Sequence, residues 1–450
     1  MRRPDLNLTI FLIIFLLFLV GQFLIGTWDQ ANHKFIFDAP SDVDFLYYGS
    51  IANSLLGHFP PLNPAMSGTP LTQPFLQFYP VAFLAKIANP YNAIRILNLL
   101  YLLLFAFVLK RYFPKRYGFP LLVLFAGSTI MAQFNAAGVD FIARGFTHVP
   151  SFIFLTIAMY GKDIRWRIVS IFTAALLNGM IILIVLPALA IIWLWKRKKE
   201  DLYIGLSALA GLGAAAIYIN LQVPGKPFYF VITESFAFRP MEILKHAALF
   251  IPLAFFAREW KGTILLAVAT IFGGLIHYNP FFPIFVVYFA GAMIVANINS
   301  TSRWAKVTTA TILAILFFGF IFACYGKYDP AKRDYYPRYD NRLEPGLKWI
   351  KEHTEPEESF LAMTADETDL ALVMEYRPVY LGYIGHLSHL GLAWQERYDA
   401  VINLMETGQF PSGVDYFFYG PVERKYFHNI RLPDSPVYQD NYISLYRLHN

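Results

Sequence analysis

Leu176-Leu177-Asn178-Gly179-Met180-Ile181 sits in the middle of the apolar run Ile168–Trp195, and its reading sets the fold. Taken as one span, the run is overlong. It also places its two basic flanks on opposite sides of a membrane: Lys162, Arg165 and Arg167 before it, and Lys196, Arg197, Lys198 and Lys199 after it. Taken as two short spans, Ile168–Asn178 and Met180–Trp195, it puts both flanks on one side, as the positive-inside rule requires. Asn-Gly is turn chemistry, so the break belongs there. At about 1.5 Å of rise per residue, neither half crosses a ~30 Å hydrocarbon core comfortably.

The rest of the chain obeys the same bookkeeping. It has 450 residues, 56% of them hydrophobic and only 15% charged, too few charges to coat a soluble protein of this length. Apolar blocks run over Leu8–Gly26, Tyr91–Val108, Phe119–Phe134, Thr147–Tyr160, Tyr203–Leu221, Ile243–Ala257, Thr263–Ile276, Phe281–Ala296 and Val307–Tyr325, besides the split run. Lys110, Arg111, Lys115, Arg116, Arg258, Lys261, Arg303 and Lys306 fall on the side of Arg2 and Arg3. This holds if Leu71–Ala88, with Gln73, Gln77 and Lys86, lies at the interface rather than crossing it. The expectation is a polytopic α-helical membrane protein of about eleven transmembrane helices, at the cell membrane, with the N-terminus cytoplasmic. The first block lacks a small-residue cleavage site and reads as a retained anchor. The formal charge of +6 marks orientation, not nucleic-acid binding. The single cysteine, Cys324, allows no disulfide within one chain.

Residues 1–325 therefore form a transmembrane domain. Its first outer loop, 27–90, holds two short interfacial helices, Phe45–Gly57 and Leu71–Ala88. Tyr325–Arg342 reads as a linker, and residues 326–450 as a small extracytoplasmic α/β domain. Helices are expected at Gly346–His353, Asp369–Tyr376 and Gln395–Glu406, and strands at Ser359–Met363, Val379–Tyr383, Val414–Tyr419 and Tyr442–Arg447.

Polar residues gather at the outer face in four places: Asp42 and Asp44 with His58 and Asn63; Asp140, Arg144 and His148; Glu234, Arg239 and Lys245; and His277. An aspartate before Phe45 can cap a helix, bind a metal, or act as general base on a hydroxyl. Two aspartates two residues apart cannot both cap one helix. Arg144, Arg239 and Lys245 either snorkel to headgroups or clamp a phosphate. His148 and His277 read equally as satisfied residues at helix ends, and no zinc-ligand spacing is present. In the tail, His386 lies in a Gly-rich stretch that either packs as a loop or binds an acceptor.

Together these features resemble the integral-membrane glycosyltransferases of the GT-C fold. The resemblance rests on Asp44 … Leu56-Gly57-His58-Phe59-Pro60 … Asn63-Pro64 … Gly68-Thr69-Pro70-Leu71 … Tyr79-Pro80, and in the tail on Leu347–Thr354, Gly382–Leu387, Gly413–Tyr416 and Gly420–Arg424. Tyr48 stands where many relatives carry a His, four residues after the loop aspartate. The resemblance implies an inverting transfer from a polyprenyl-phosphate sugar to a hydroxyl of a protein, lipid or glycan acceptor, among membrane lipids. It implies Asp44 as base, with Asp42 the second choice, and Arg239, Arg144 and Lys245 as phosphate partners. It leaves a divalent cation, Mg or Mn, open.

Two other classes compete. A transporter or flippase of lipid-linked sugars would show repeats and ionisable residues within spans; here the span interiors are nearly free of charge. A non-catalytic membrane subunit would keep the outline without the base.

Overall fold

The computed structural model describes residues 5–24, 27–29, 34–36, 40–57, 61–71, 76–87, 90–125, 145–222, 240–273, 281–298, 302–327, 338–362, 377–382, 384, 387, 392–427 and 430–448. The chain forms two compact units that do not follow chain order. One joins Met1–Phe23 to Arg95–Asp329; the other joins Leu24–Ile94 to Pro330–Asn450.

The first unit is helical. Asn92–Tyr112, Gly179–Lys196 and Lys199–Tyr218 are long and apolar enough to cross a membrane; Leu6–Leu17, His148–Tyr160, Trp260–Phe272 and Pro283–Ala296 are shorter apolar helices. The run that opens the sequence argument breaks at Asn178. Helix Ile164–Leu177 ends there and helix Gly179–Lys196 begins, with Asn178 at φ −149°, ψ 84°. The Asn178 side chain caps the second helix by accepting from the Ile181 amide at 3.3 Å.

The chain also reverses direction at this break. Arg167 pairs with Asp201 at 3.1 Å, Ser207 donates to the Ile168 carbonyl, and Gly211 faces Phe172 and Ala175. Rising numbers meet rising numbers, so Ile164–Leu177 runs parallel to helix Lys199–Gln222. Leu189 and Ile192 share a small cavity with Asp201 and Ile204, so Gly179–Lys196 runs back against both. Gly211 permits the close approach: a Cβ there would lie 2.8 Å from the Phe172 carbonyl.

The basic links then gather at one end of this unit. Arg167 donates to the Ala158 carbonyl at 2.8 Å and Lys261 to that of Met159, which satisfies the last turn of helix Gly145–Tyr160. Arg116 donates to the Ile298 carbonyl, and the Arg258 amide donates to that of Asn297. Asn7, in the first turn of helix Leu6–Leu24, donates to the Lys115 carbonyl at 3.0 Å. Among the described residues one expected span differs. Ile243–Ala257 is not one helix but Pro240–Ala248 followed by Ile251–Ala254. Pro252 has no N–H to give and its ring disfavours helix before it, so the chain turns at Leu249-Phe250 and restarts.

Among the described residues the second unit holds two sheets. Strands β1 (Thr27–Asp29), β2 (Lys34–Ile36) and β3 (Arg338–Asp340) form an antiparallel sheet in that order. The end of the expected linker Tyr325–Arg342 is thus a strand paired with the first loop. Strands β4 (Phe360–Leu361), β5 (Tyr416–Tyr419), β6 (Tyr438–Gln439) and β7 (Ser444–Arg447) form a sheet ordered β4-β5-β7-β6, with only the β4–β5 pair parallel. Helix Glu344–His353 packs Leu347 and Ile350 onto it, beside the stacked rings of Phe360 and Tyr416, 5.0 Å apart. The expected helix at Asp369–Tyr376 lies outside the described residues; that at Gln395–Glu406 runs Gln395–Thr407.

The β6–β7 turn carries a titratable lock. Asp440 accepts from the Tyr442 and Ile443 amides, both at 2.7 Å, and from the Tyr438 hydroxyl at 2.8 Å. Burial pushes its carboxyl up, but these bonds and the Arg424 charge outweigh burial and hold it below its ordinary value. Such a group adds stability that is complete above the unfolded value of about 3.9 and is lost as pH falls through the folded value. Asp440→Asn should therefore flatten the acid-side loss of stability below about pH 4. Melting temperature against pH, beside wild type, checks this.

Candidate active site

Helix Pro40–Gly57 organises the site. Proline suits a first helical position, where its missing N–H has no intrahelical partner anyway. The helix starts at Pro40, five residues before its expected beginning at Phe45. Asp42 and Asp44 are accordingly the third and fifth helical residues, and neither is the N-cap that sequence allowed. Their side chains are outside the described residues.

Past the helix, residues 61–71 close a tight loop. Leu62 bridges Pro70, the Leu71 amide donates to the Pro61 carbonyl, and the Asn63 amide donates to that of Thr69, both at 2.8 Å. The helix grips this loop at two points. The Ser54 hydroxyl donates to the Leu62 carbonyl at 2.9 Å and accepts from its amide at 3.1 Å. The Tyr47 hydroxyl donates to Asn63 Oδ1 at 3.1 Å, which also takes the Ala65 amide at 3.0 Å. Burial pushes the Tyr47 phenol far above its ordinary range, so it serves as a neutral donor. With Oδ1 committed, Asn63 Nδ2 is buried and has no partner among the described residues, nor has Gln77 Oε1. Each such atom costs roughly 1–3 kcal/mol.

The tail grips the loop from its other edge. Val379 donates to the Pro64 carbonyl at 2.9 Å and accepts from the Ser67 amide at 2.8 Å; the Gly382 amide donates to the Ala65 carbonyl at 2.8 Å. The strand expected at Val379–Tyr383 is thus shared. Pro378 and Tyr380 bond Phe360 of β4, while Val379 and Gly382 bond the loop. With β4 it forms one isolated bridge, Phe360 to Val379.

The other sequence candidates are placed as follows. Asn63 is fully buried in this loop. His58, Asp140, Arg144, Glu234, Arg239, His277 and His386 lie outside the described residues. His148 belongs to the first unit, buried against Phe285 at 4.5 Å with Nδ1 3.1 Å from Asn178 Nδ2. Lys245 also belongs to that unit and is exposed on helix Pro240–Ala248. Among the described residues no three His, Cys, Asp or Glu side chains converge as a metal site.

Two crystal structures of ArnT from Cupriavidus metallidurans, a GT-C glycosyltransferase, superpose on nearly all of this chain. The form bound to undecaprenyl phosphate gives a TM-score of 0.53 at 13% identity, over 99% of this chain and 98% of that one. The apo form gives 0.51 at 14% identity, over 98% and 97%. The chain has the GT-C fold. The apo oligosaccharyltransferase of Archaeoglobus fulgidus aligns over 93% of this chain and 70% of its own, at 13% identity and a TM-score of 0.47. No protein-family model and no curated protein matches the sequence.

Within this GT-C fold, sequence reasoning passed over Tyr47, Ser54 and Arg397. Tyr47 had a signal, since it stands three residues after Asp44 and so shares its helical face. Ser54 had the same kind of signal one turn before the helix ends. Arg397 had none, because its partners lie far off in sequence.

Proposed function

We propose that the protein transfers a sugar from a polyprenyl-phosphate donor to an acceptor hydroxyl at the outer membrane face, with inversion and with Asp44 as general base. The observation that carries the reading is the end-to-end likeness to ArnT, solved with undecaprenyl phosphate bound. The arrangement of helix Pro40–Gly57 supports Asp44 over Asp42. A carboxylate at the third position serves the ordinary purpose of offsetting the helix dipole; one at the fifth lies past the orphan amides of the first turn. Successive residues turn by about 100°, so positions 44, 47, 48 and 51 share a face while position 42 lies on another. That face holds buried Tyr47 and Ile51, and it is the one that reaches Asn63.

The chemistry asks little more of the chain. The base takes the proton from the acceptor hydroxyl, whose oxygen attacks the anomeric carbon. The bond from that carbon to the phosphate oxygen breaks, and the electron pair leaves with the phosphate. Cationic groups stabilise this departing charge; Arg239, Arg144 and Lys245 are the proposed partners. A phosphate leaving group needs no general acid, in contrast to a glycosidase with its carboxylate pair. About eleven spans, a cytoplasmic N-terminus and an extracytoplasmic tail complete the reading. The gathering of basic links at one end of the first unit supports a single cytoplasmic face.

The test is sugar release from radiolabelled undecaprenyl-phosphate hexoses and pentoses by purified protein in lipid, with and without EDTA. Free undecaprenyl phosphate forming in step with labelled acceptor supports the reading, and EDTA sensitivity adds a divalent cation to it. No consumption of any donor, with a membrane extract supplied as acceptor source, contradicts it.

A further inference from the structure

We infer that Arg397 is a positioning residue: from the tail it holds the Pro64–Ser67 turn, and through that turn the helix that carries Asp44. The catalytic half of this inference rests on the reading of Asp44 as base. Arg397 lies in the first turn of helix Gln395–Thr407. Its guanidinium donates to the Tyr380 carbonyl at 2.6 Å, the Ser67 hydroxyl at 3.2 Å and the Ser67 carbonyl at 2.8 Å, and lies over the Tyr380 ring at 4.8 Å. Among the described residues it pairs with no carboxylate. A half-buried guanidinium bonded only to neutral oxygens is poor value as an ion pair, but its planar fork fixes geometry well. Here it ties three segments together: its own helix, residues 377–382 and the loop.

Ser67 is the receiving point. Its amide donates to Val379, its carbonyl accepts from Arg397, and its hydroxyl accepts from Ser359 at 2.7 Å and from Arg397. Every polar group of Ser67 is bound by the tail. The neighbouring Met66 amide donates to the Asn63 carbonyl at 3.2 Å, and Asn63 Oδ1 takes the Tyr47 hydroxyl. The path from Arg397 to the helix turn after Asp44 is therefore Ser67, Met66, Asn63, Tyr47. Each link is a hydrogen bond or a peptide bond, and a displaced turn shifts Asn63 away from Tyr47.

Full-length Arg397→Gln and Arg397→Lys in lipid nanodiscs test this by amide hydrogen exchange and by steady-state transfer. In Arg397→Gln, exchange at Ser67, Val379 and Gly382 should quicken by roughly tenfold or more, and exchange across 47–55 should quicken with it. The transfer kcat should fall by roughly ten- to a hundredfold while the donor KM stays within about threefold, the pattern of a displaced base rather than lost binding. Arg397→Lys, a point charge without the fork, should restore little of either. Ser359→Ala removes one bond without a charge and should give a small change of the same sign, a check if Arg397→Gln fails to fold. Unchanged exchange at 47–55 overturns the inference, whatever the activity. Faster exchange with full kcat overturns the catalytic half. Wild type that transfers nothing overturns the assignment of Asp44, while exchange still decides whether Arg397 holds the helix.

Discussion

Asp44→Asn should lower the rate of sugar transfer by about 10²–10⁴-fold, the usual worth of a positioned general base, while leaving the protein folded. Asparagine keeps the shape of aspartate but cannot take a proton. The fifth position of helix Pro40–Gly57 owes nothing to capping, so the helix should persist. Asp42→Asn gives the opposite signature. It removes a carboxylate from the first helical turn, worth about 0.3–1 kcal/mol of helix stability, and should change transfer only a few-fold. Initial rates and melting temperatures of both variants separate the two roles. A silent Asp44→Asn with an inactive Asp42→Asn would reverse the assignment.

Gly382→Val should break the docking of the tail on the loop. A Cβ at Gly382 would lie 2.8 Å from the Ala65 carbonyl oxygen and 2.9 Å from its Cβ, and that carbonyl is the acceptor for the Gly382 amide. The obstacle is largely backbone, which cannot swing aside as a flexible side chain does. Overpacking of this kind costs about 1–3 kcal/mol, and a buried amide stripped of its acceptor adds about 1–3 kcal/mol more. The melting temperature should fall by several degrees, and protease should cut within 61–71 sooner. Gly205 supplies the control. Nothing lies within 4 Å of its added Cβ, so Gly205→Ala should be neutral or stabilising in helix Lys199–Gln222.

What sequence made legible followed from local chemistry. The break at Asn178-Gly179 combined turn residues with basic flanks that demanded a reversal, and the chain reverses there. The helices expected at Gln395–Glu406 and Gly346–His353 announced themselves by periodicity and run Gln395–Thr407 and Glu344–His353. Pro252 lies inside the apolar block Ile243–Ala257 and was not read as a break. The bonds that join residues 24–94 to 330–450 were not legible one by one, because they are backbone bonds between segments about 300 residues apart, such as Ser67 to Val379. Backbone groups are the same in every residue but proline and leave no mark on composition. In the structure Gly382 marks one of them, as a position where only hydrogen fits. In the candidate site, Asn63 was legible as a polar residue in an apolar chain, whereas Tyr47 passed for one more aromatic.

The central claim is that this chain breaks the sugar–phosphate bond rather than carrying the intact lipid across the membrane. The direct test uses proteoliposomes loaded with undecaprenyl-phosphate sugar, labelled in both the sugar and the lipid, with a membrane extract as acceptor source. The account predicts that the two labels separate, the sugar passing into a covalent product and the lipid remaining as phosphate, and that Asp44→Asn abolishes the separation. Both labels moving together to the opposite leaflet, with no bond broken, would contradict it and make the protein a flippase.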